Sequence, residues 1–335
     1  MELWRKARVA VRKKITFFIL LGWALLILGD RVDELRVYQG AQIAMYTIAL
    51  ASIVLLTGYS GQVSLGNGAL MAVGGYAAAL MLTNAKSPIW VAFLAAIVVA
   101  SLFGALLGAA AARLSGPYLA GTTLALAVGL PAIANQFSIL GGEPGILFDI
   151  GLPPARFGEE FTQYKWFFWI ASFIALLSLF ITSNILQSRY GRTWRAIRGN
   201  ALGAELSGVH ASRMKILAFT VSSGLAGLAG AVLAMTISLV APGAYSLALS
   251  FALVTGAVLA GISSLPGVVF GGLILVAIPE IADAIAGRLG NADKLNNYLP
   301  GLITSLLLIL SVIYTPNGPG ENLRKHFGKK AGKKH

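Results

Sequence analysis

Cysteine is absent from this 335-residue chain, and charge is scarce. Without cysteine there is neither a disulfide nor a thiolate-bound metal. Three histidines and thirteen acidic residues leave little material for a metal centre or an acid–base pair, so no metal and no cofactor are expected. No phosphate-binding Walker loop, Gly-x-Ser-x-Gly elbow or His-Glu-x-x-His pair occurs. These absences argue against an enzyme. Charged residues make up 12% of the chain, whereas soluble domains carry about 25%, so a soluble class is excluded. Disorder is excluded by the 57% hydrophobic content. What is present is an apolar chain of mean hydropathy +0.77 with 39 glycines, a composition suited to membrane helices that pack backbone to backbone.

The net charge of +13 is concentrated. Six Lys or Arg lie between Arg5 and Lys14, six between Arg189 and Lys215, and six between Arg324 and Lys334. All three clusters flank apolar runs, so the positive-inside rule places them in the cytoplasm and makes them anchors for anionic lipid rather than a nucleic-acid patch. Asp30, Asp33, Glu34, Glu143, Asp149, Glu159 and Glu160 mark the loops between as external. The run 15–29 ends without a small-residue cleavage site and reads as an uncleaved first helix.

Apolar runs predict transmembrane helices near 15–29, 38–57, 65–83, 88–112, 117–139, 165–186, 215–240, 247–264, 267–286 and 298–315. The expected fold is therefore an all-α polytopic membrane protein of about ten crossings, with both termini cytoplasmic. Residues 1–14 and 316–335 form basic cytoplasmic ends, and 15–315 form the membrane domain. The apolar run 247–286 is too long for one crossing of a bilayer core about 30 Å thick, and Ser263-Ser264-Leu265-Pro266-Gly267 splits it into a hairpin. Pro88, Pro117, Pro266 and Pro300 fall at or near helix starts, where a missing N–H costs least.

Two stretches are dense in glycine: 58–75, and 256–272 with Gly256, Gly261, Gly267, Gly271 and Gly272. They fall in the two halves of the chain, as interrupted segments of transport paths do, though close packing alone accounts for either. Uncharged polar residues punctuate the spans. Gln62, Ser64, Asn67, Thr122 and Thr123 are candidates to line a wet path, with helix locking the alternative for each. Glu280 and Asp283 share a face toward the outer end of the ninth helix and read as an interfacial, hydrated pair. No acid or histidine falls mid-helix, so a proton relay lacks a carrier.

The basic loop 187–215 is the most informative segment. Trp194, Ile197 and Ala201 fall at helical spacing, as do Ala204, Leu206 and Val209. This predicts two short helices broken near Gly199 to Gly203, lying on the membrane face, either anchored to lipid or docked in another protein. Gly191-Arg192-x-x-Arg195-Ala196-Ile197-Arg198-x-Asn200, followed by Ala204, Gly208, Lys215, Ala218-Phe219, Ser222 and Ala226-Gly227-x-Ala229-Gly230, resembles the coupling region of LivM-type permease subunits of branched-chain amino-acid ABC importers. Gly58-Tyr-Ser-Gly61-Gln62-Val-Ser64, Gly116-Pro117-Tyr118 and Gly141-Gly142-x-x-Gly145 match the earlier motifs of that family, in order. Ala201 stands where the family often has an acid, and Gly267-Val268 where it often has Gly-Pro.

The resemblance implies an inner-membrane permease subunit with a vitamin B12-type importer fold. It implies a sister LivH-like permease, two ABC ATPases and an extracellular or periplasmic solute-binding protein as partners. Gly191, Arg192, Arg195, Ala196, Arg198, Asn200, Glu205 and Gly208 would form the ATPase-coupling loop, with the three arginines making charge contacts and Gly208 permitting close backbone approach. Branched-chain amino acids are the implied solute, with urea or short amides the alternative. A self-contained secondary transporter or channel is the rival class, and it needs no ATPase dock.

Overall fold

The structure, a computed structural model, describes residues 2–112, 114, 116–151, 153–154, 157–158 and 161–288, with a few positions between 299 and 310. The expected tenth helix lies almost wholly outside the described residues, as do Glu159, Glu160 and the basic tail. The chain is an all-α polytopic membrane protein. Helices α1 (Glu2–Arg31), α2 (Glu34–Ile53), α3 (Asn67–Thr83), α4 (Ile89–Ala111), α5 (Pro117–Gln136) and α6 (Gln163–Gln187) form the first part. Two short helices, α7 (Arg189–Gly199) and α8 (Ala201–Leu206), lead into α9 (Ala211–Ile237), α10 (Leu247–Ala260) and α11 (Gly267–Arg288). Among the described residues, seven segments are long and apolar enough to cross a membrane: Glu34–Tyr59, Ile89–Ala111, Tyr118–Gln136, Gln163–Gln187, Ala211–Ile237, Pro242–Ala260 and Gly267–Ile285. Helix α3 is apolar but shorter.

Proline and glycine set the helix boundaries. Pro88 caps α4, and Gly116 at φ +58° hands the chain to Pro117 at the start of α5. The long apolar run of the second half breaks at Gly261, whose φ of +90° ends α10 before α11 begins at Gly267. Three features lie outside the sequence expectation. Helix α2 ends in a π-helical turn, Val54–Tyr59. Helix α9 starts at Ala211, so the last residues assigned to the basic loop are helical. Two residues of an all-α chain, Ile146 and Leu147, pair antiparallel with Val240 and Leu239.

Helix α9 is the packing centre, and glycine lets it be so. A Cβ on Gly74 would overlap the backbone of Gly227, one on Gly230 would overlap the Met71 carbonyl, and one on Gly104 would overlap Ser223. Helices α3, α4 and α9 therefore touch at backbone distance, the way membrane helices gain contact without a hydrophobic drive between them. Helix α1 lies antiparallel along α6. Lys14 Nζ donates to Asn184 Oδ1 at 2.7 Å toward one end of the bundle, and Lys165 Nζ lies 3.4 Å from Asp30 Oδ1 at the other. The first of these ends also holds α7 and α8 and is called the loop end below. At the far end Gln39 Nε2 donates to Glu280 Oε1, and both Glu280 and Asp283 are exposed.

Candidate functional site

Helix α7 begins where Ser188 Oγ accepts from the Tyr190 N–H at 3.1 Å. Gly191, Trp194 and Ile197 recur three residues apart and form its buried face. Trp194 is fully buried among Leu55, Leu56, Leu186 and Phe219, and its Nε1–H donates to the Met214 carbonyl at 2.9 Å. A Cβ at Gly191 would overlap the backbone of Leu186, so a glycine is required there. Ala196 is exposed on the opposite side.

Asn200 breaks the two helices and caps the second, its Oδ1 accepting from the Gly203 N–H at 3.0 Å. Helix α8 buries Ala204 against Ile197 and Ala211. Its other face exposes Leu202 at 73%, Glu205, and Leu206 at 91%. The sequence grouping of Ala204 with Leu206 is thus split. The helix stops just after Leu206, because Gly208 takes φ +84° and its N–H donates to the Glu205 carbonyl at 2.9 Å. Nothing lies within 4 Å of a Cβ at Gly208, so within this chain its glycine serves the left-handed turn. The sequence pattern includes Leu206 but not Leu202, although a spacing of four on a basic loop links the two.

The three arginines differ. Arg192 is exposed and its Nη1 donates to the Gln187 carbonyl at 3.1 Å. Arg195 donates from Nε to the Gly191 carbonyl at 3.2 Å and places its guanidinium 5.6 Å from the Tyr59 ring centre. Arg198 turns back to the bundle, where its Nη1 donates to the Gly58 carbonyl and to Ser263 Oγ, the latter at 2.9 Å.

The segment 60–66 after the π-turn is largely buried. Gln62 Nε2 donates to Ser60 Oγ at 2.7 Å and to the Lys215 carbonyl at 3.3 Å. Ser64 Oγ accepts from the Gly66 N–H at 3.3 Å, and Thr123 Oγ1 accepts from the Leu65 N–H at 3.0 Å. Asn67 Nδ2 donates to Ser52 Oγ at 3.1 Å. Gln62, Ser64, Asn67 and Thr123 are all buried, and Gln62, Asn67 and Thr123 bridge different segments. Gln62 Oε1 and Asn67 Oδ1 are buried without a partner. Thr122 stands apart from them on the exposed face of α5. There it is joined by Gly121, Ala125, Asn135 and Gln136, interleaved with Tyr118, Val128 and Ile133. By contrast α4 exposes Leu94, Val98, Leu102 and Leu106. Among the described residues no cluster of His, Cys, Asp or Glu could hold a metal ion.

The comparisons agree with one another. Residues 38–312 match the family described as "Branched-chain amino acid transport system / permease component". The high-affinity branched-chain amino acid transport system permease protein LivM of Escherichia coli K12 is 28% identical over 299 residues, covering 82% of this chain and 67% of that protein. The corresponding LivH of the same organism is 28% identical over 294 residues, covering 82% of this chain and 90% of LivH. A more distant relative, the autoinducer 2 import system permease protein LsrC of Salmonella paratyphi B, is 27% identical over 279 residues, covering 82% of this chain and 76% of that protein. No solved structure matches the chain.

Proposed function

The chain belongs to the branched-chain amino acid transport system permease family, and on that premise we propose how it acts as the permease subunit of an ABC importer. It pairs with a sister permease to enclose the path, and separate ATPases supply the energy. A solute-binding protein delivers a branched-chain amino acid or a related small polar solute. The loop end is cytoplasmic, both termini lie there, and the membrane is the bacterial inner membrane. About ten crossings in a vitamin B12-type arrangement suit the helix order.

One observation carries the coupling role. Leu202 and Leu206 project from a helical hairpin anchored by the buried Trp194. Burying a leucine stabilises an association by about 1.5–3 kcal/mol, and an exposed pair on a fixed mount suits a partner's groove better than bulk water. Seven of the coupling-loop positions are exposed, Arg192, Arg195, Ala196, Arg198, Asn200, Glu205 and Gly208, and of these Arg192, Asn200 and Glu205 supply a polar rim. The path is assigned to the exposed face of α5, where Thr122 stands among small and polar residues. A helix facing lipid alone would present bulk, as α4 does. Gln62, Ser64, Asn67 and Thr123 lock the break behind that face.

The test is reconstitution of the subunits in vesicles with a panel of branched-chain amino acids, urea and short amides. ATP-driven accumulation of one of them is expected from the full complex, and none from the lone chain. Leu206→Glu is expected to insert normally, lose co-purifying ATPase and abolish uptake. It is a cleaner probe than Gly208→Glu, which also strains the left-handed turn. Accumulation by the lone chain refutes the proposal.

A further inference from the structure

The two glycine-dense stretches, which the sequence places in the two halves of the chain, meet at the loop end. Gly58 lies so close to the α10–α11 turn that a Cβ on it would overlap the Ile262 carbonyl. Ser263 Oγ reaches toward the same Gly58 carbonyl at 3.4 Å. Both stretches end helices here. The π-turn of α2 closes at Tyr59, and α10 closes at Ala260. A helix C-terminus leaves carbonyls without intrahelical partners and carries partial negative charge. Two such ends brought together draw on donors and positive charge; Ser263 is one donor, but neither stretch contains a Lys or Arg.

Arg198 of α7 supplies both. Its Nη1 donates to the Gly58 carbonyl and to Ser263 Oγ. Its side-chain stem lies along Gly61, where a Cβ would come within 2.9 Å of Arg198 Cγ and where φ is +73°. Arg195, one turn earlier, lays its guanidinium over Tyr59. Gln62 ties the following segment to the Lys215 carbonyl at the start of α9. The hairpin is thus wired to the ends of α2 and α10 by named contacts.

We propose that Arg198 is a transmission residue: it clamps α7 to the first glycine-dense break through Gly58 and to the second through Ser263, so that displacement of the docked hairpin pulls both halves of the bundle together. This rests on the ABC-permease reading. It assigns Arg198 to the bundle, leaving Arg192 and the Leu202–Leu206 face for the ATPase. A lysine falls short of it, because both bonds leave the one nitrogen Nη1 and a lysine ammonium sits one bond nearer the backbone than that atom.

The experiment uses the reconstituted full complex. Arg198→Met and Arg198→Lys are expected to keep the ATPases bound and to hydrolyse ATP within about twofold of the parent, while uptake falls about tenfold. Ser263→Ala is expected to lower uptake less, and Ser263→Ala combined with Arg198→Met no further than Arg198→Met alone. Unchanged uptake in Arg198→Met, loss of bound ATPase in it, or additive effects in the double variant would each overturn the clamp. If both Arg198 variants fail to yield monodisperse protein, Arg198 is a folding residue and the transmission role falls. A parent complex without ATP-coupled uptake sinks the functional reading and the clamp together, whereas a competent parent with unaffected variants sinks the clamp alone.

Discussion

Trp194 is the side chain that keeps a basic helix against a greasy bundle. It is wholly buried, and its one polar atom donates to Met214 at the start of α9. Replacing a buried tryptophan by alanine costs about 3–5 kcal/mol through lost contact and the cavity left behind. Trp194→Ala is therefore expected to lower the thermal midpoint of the purified chain and to weaken coupling. Trp194→Phe is expected to lie between parent and alanine, since it keeps most of the volume but loses the indole hydrogen bond to the Met214 carbonyl. Equal midpoints for all three, measured by fluorescence-detected melting, would show that the contact does not anchor the hairpin. The sequence made Trp194 and Ile197 legible as one inward face. It could not reveal where Arg198 points, because its acceptors lie 140 and 65 residues away in the chain.

At the scale of the element, helix positions were legible and helix ends less so. Each of the first nine expected segments meets a helix, although α1 and α3 are not among the seven described segments long and apolar enough to cross a membrane, and the split of the run 247–286 falls at Gly261 to Gly267. Apolar run length and proline placement carry that information locally. The π-helical end of α2 does not announce itself, because it depends on what meets Gly58 and Gly61 from other segments. The two-residue ladder between 146–147 and 239–240 is equally tertiary in origin. Polar residues proposed as path lining turned out to include four buried ones, of which Gln62, Asn67 and Thr123 bond across segments. The packing of α3, α4 and α9 yields a further prediction. A Cβ at Gly227 would overlap Ala100 and lie 2.8 Å from the Ala96 carbonyl, whereas Gly129 on α5 has nothing within 4 Å. Gly227→Val is expected to aggregate on extraction and Gly129→Ala to behave as the parent; size-exclusion profiles decide, and a monodisperse Gly227→Val would contradict the close junction.

At the scale of the whole molecule, the exposed surface is of two kinds. Helix α4 offers long aliphatic side chains, and α5 offers small and polar ones between larger residues. The absence of cysteine makes this difference measurable, since a single introduced thiol is unique. In the assembled transporter Thr122→Cys is expected to react with a water-soluble maleimide and to change its rate with ATP. Leu102→Cys is expected to stay unlabelled. Equal inertness of both thiols would place the path elsewhere than α5.

The wide turn at Val54–Tyr59 has a consequence for motion. Its hydrogen-bond ladder reaches one residue further than ordinary α winding does, and each residue of an α-helix advances the chain by about 100° around the axis. A slip of a single residue between the two windings would swivel everything just after Tyr59, Gln62 included, through more than a quarter revolution while sacrificing few bonds. A gear of that ratio sits where the arginine from α7 grips it.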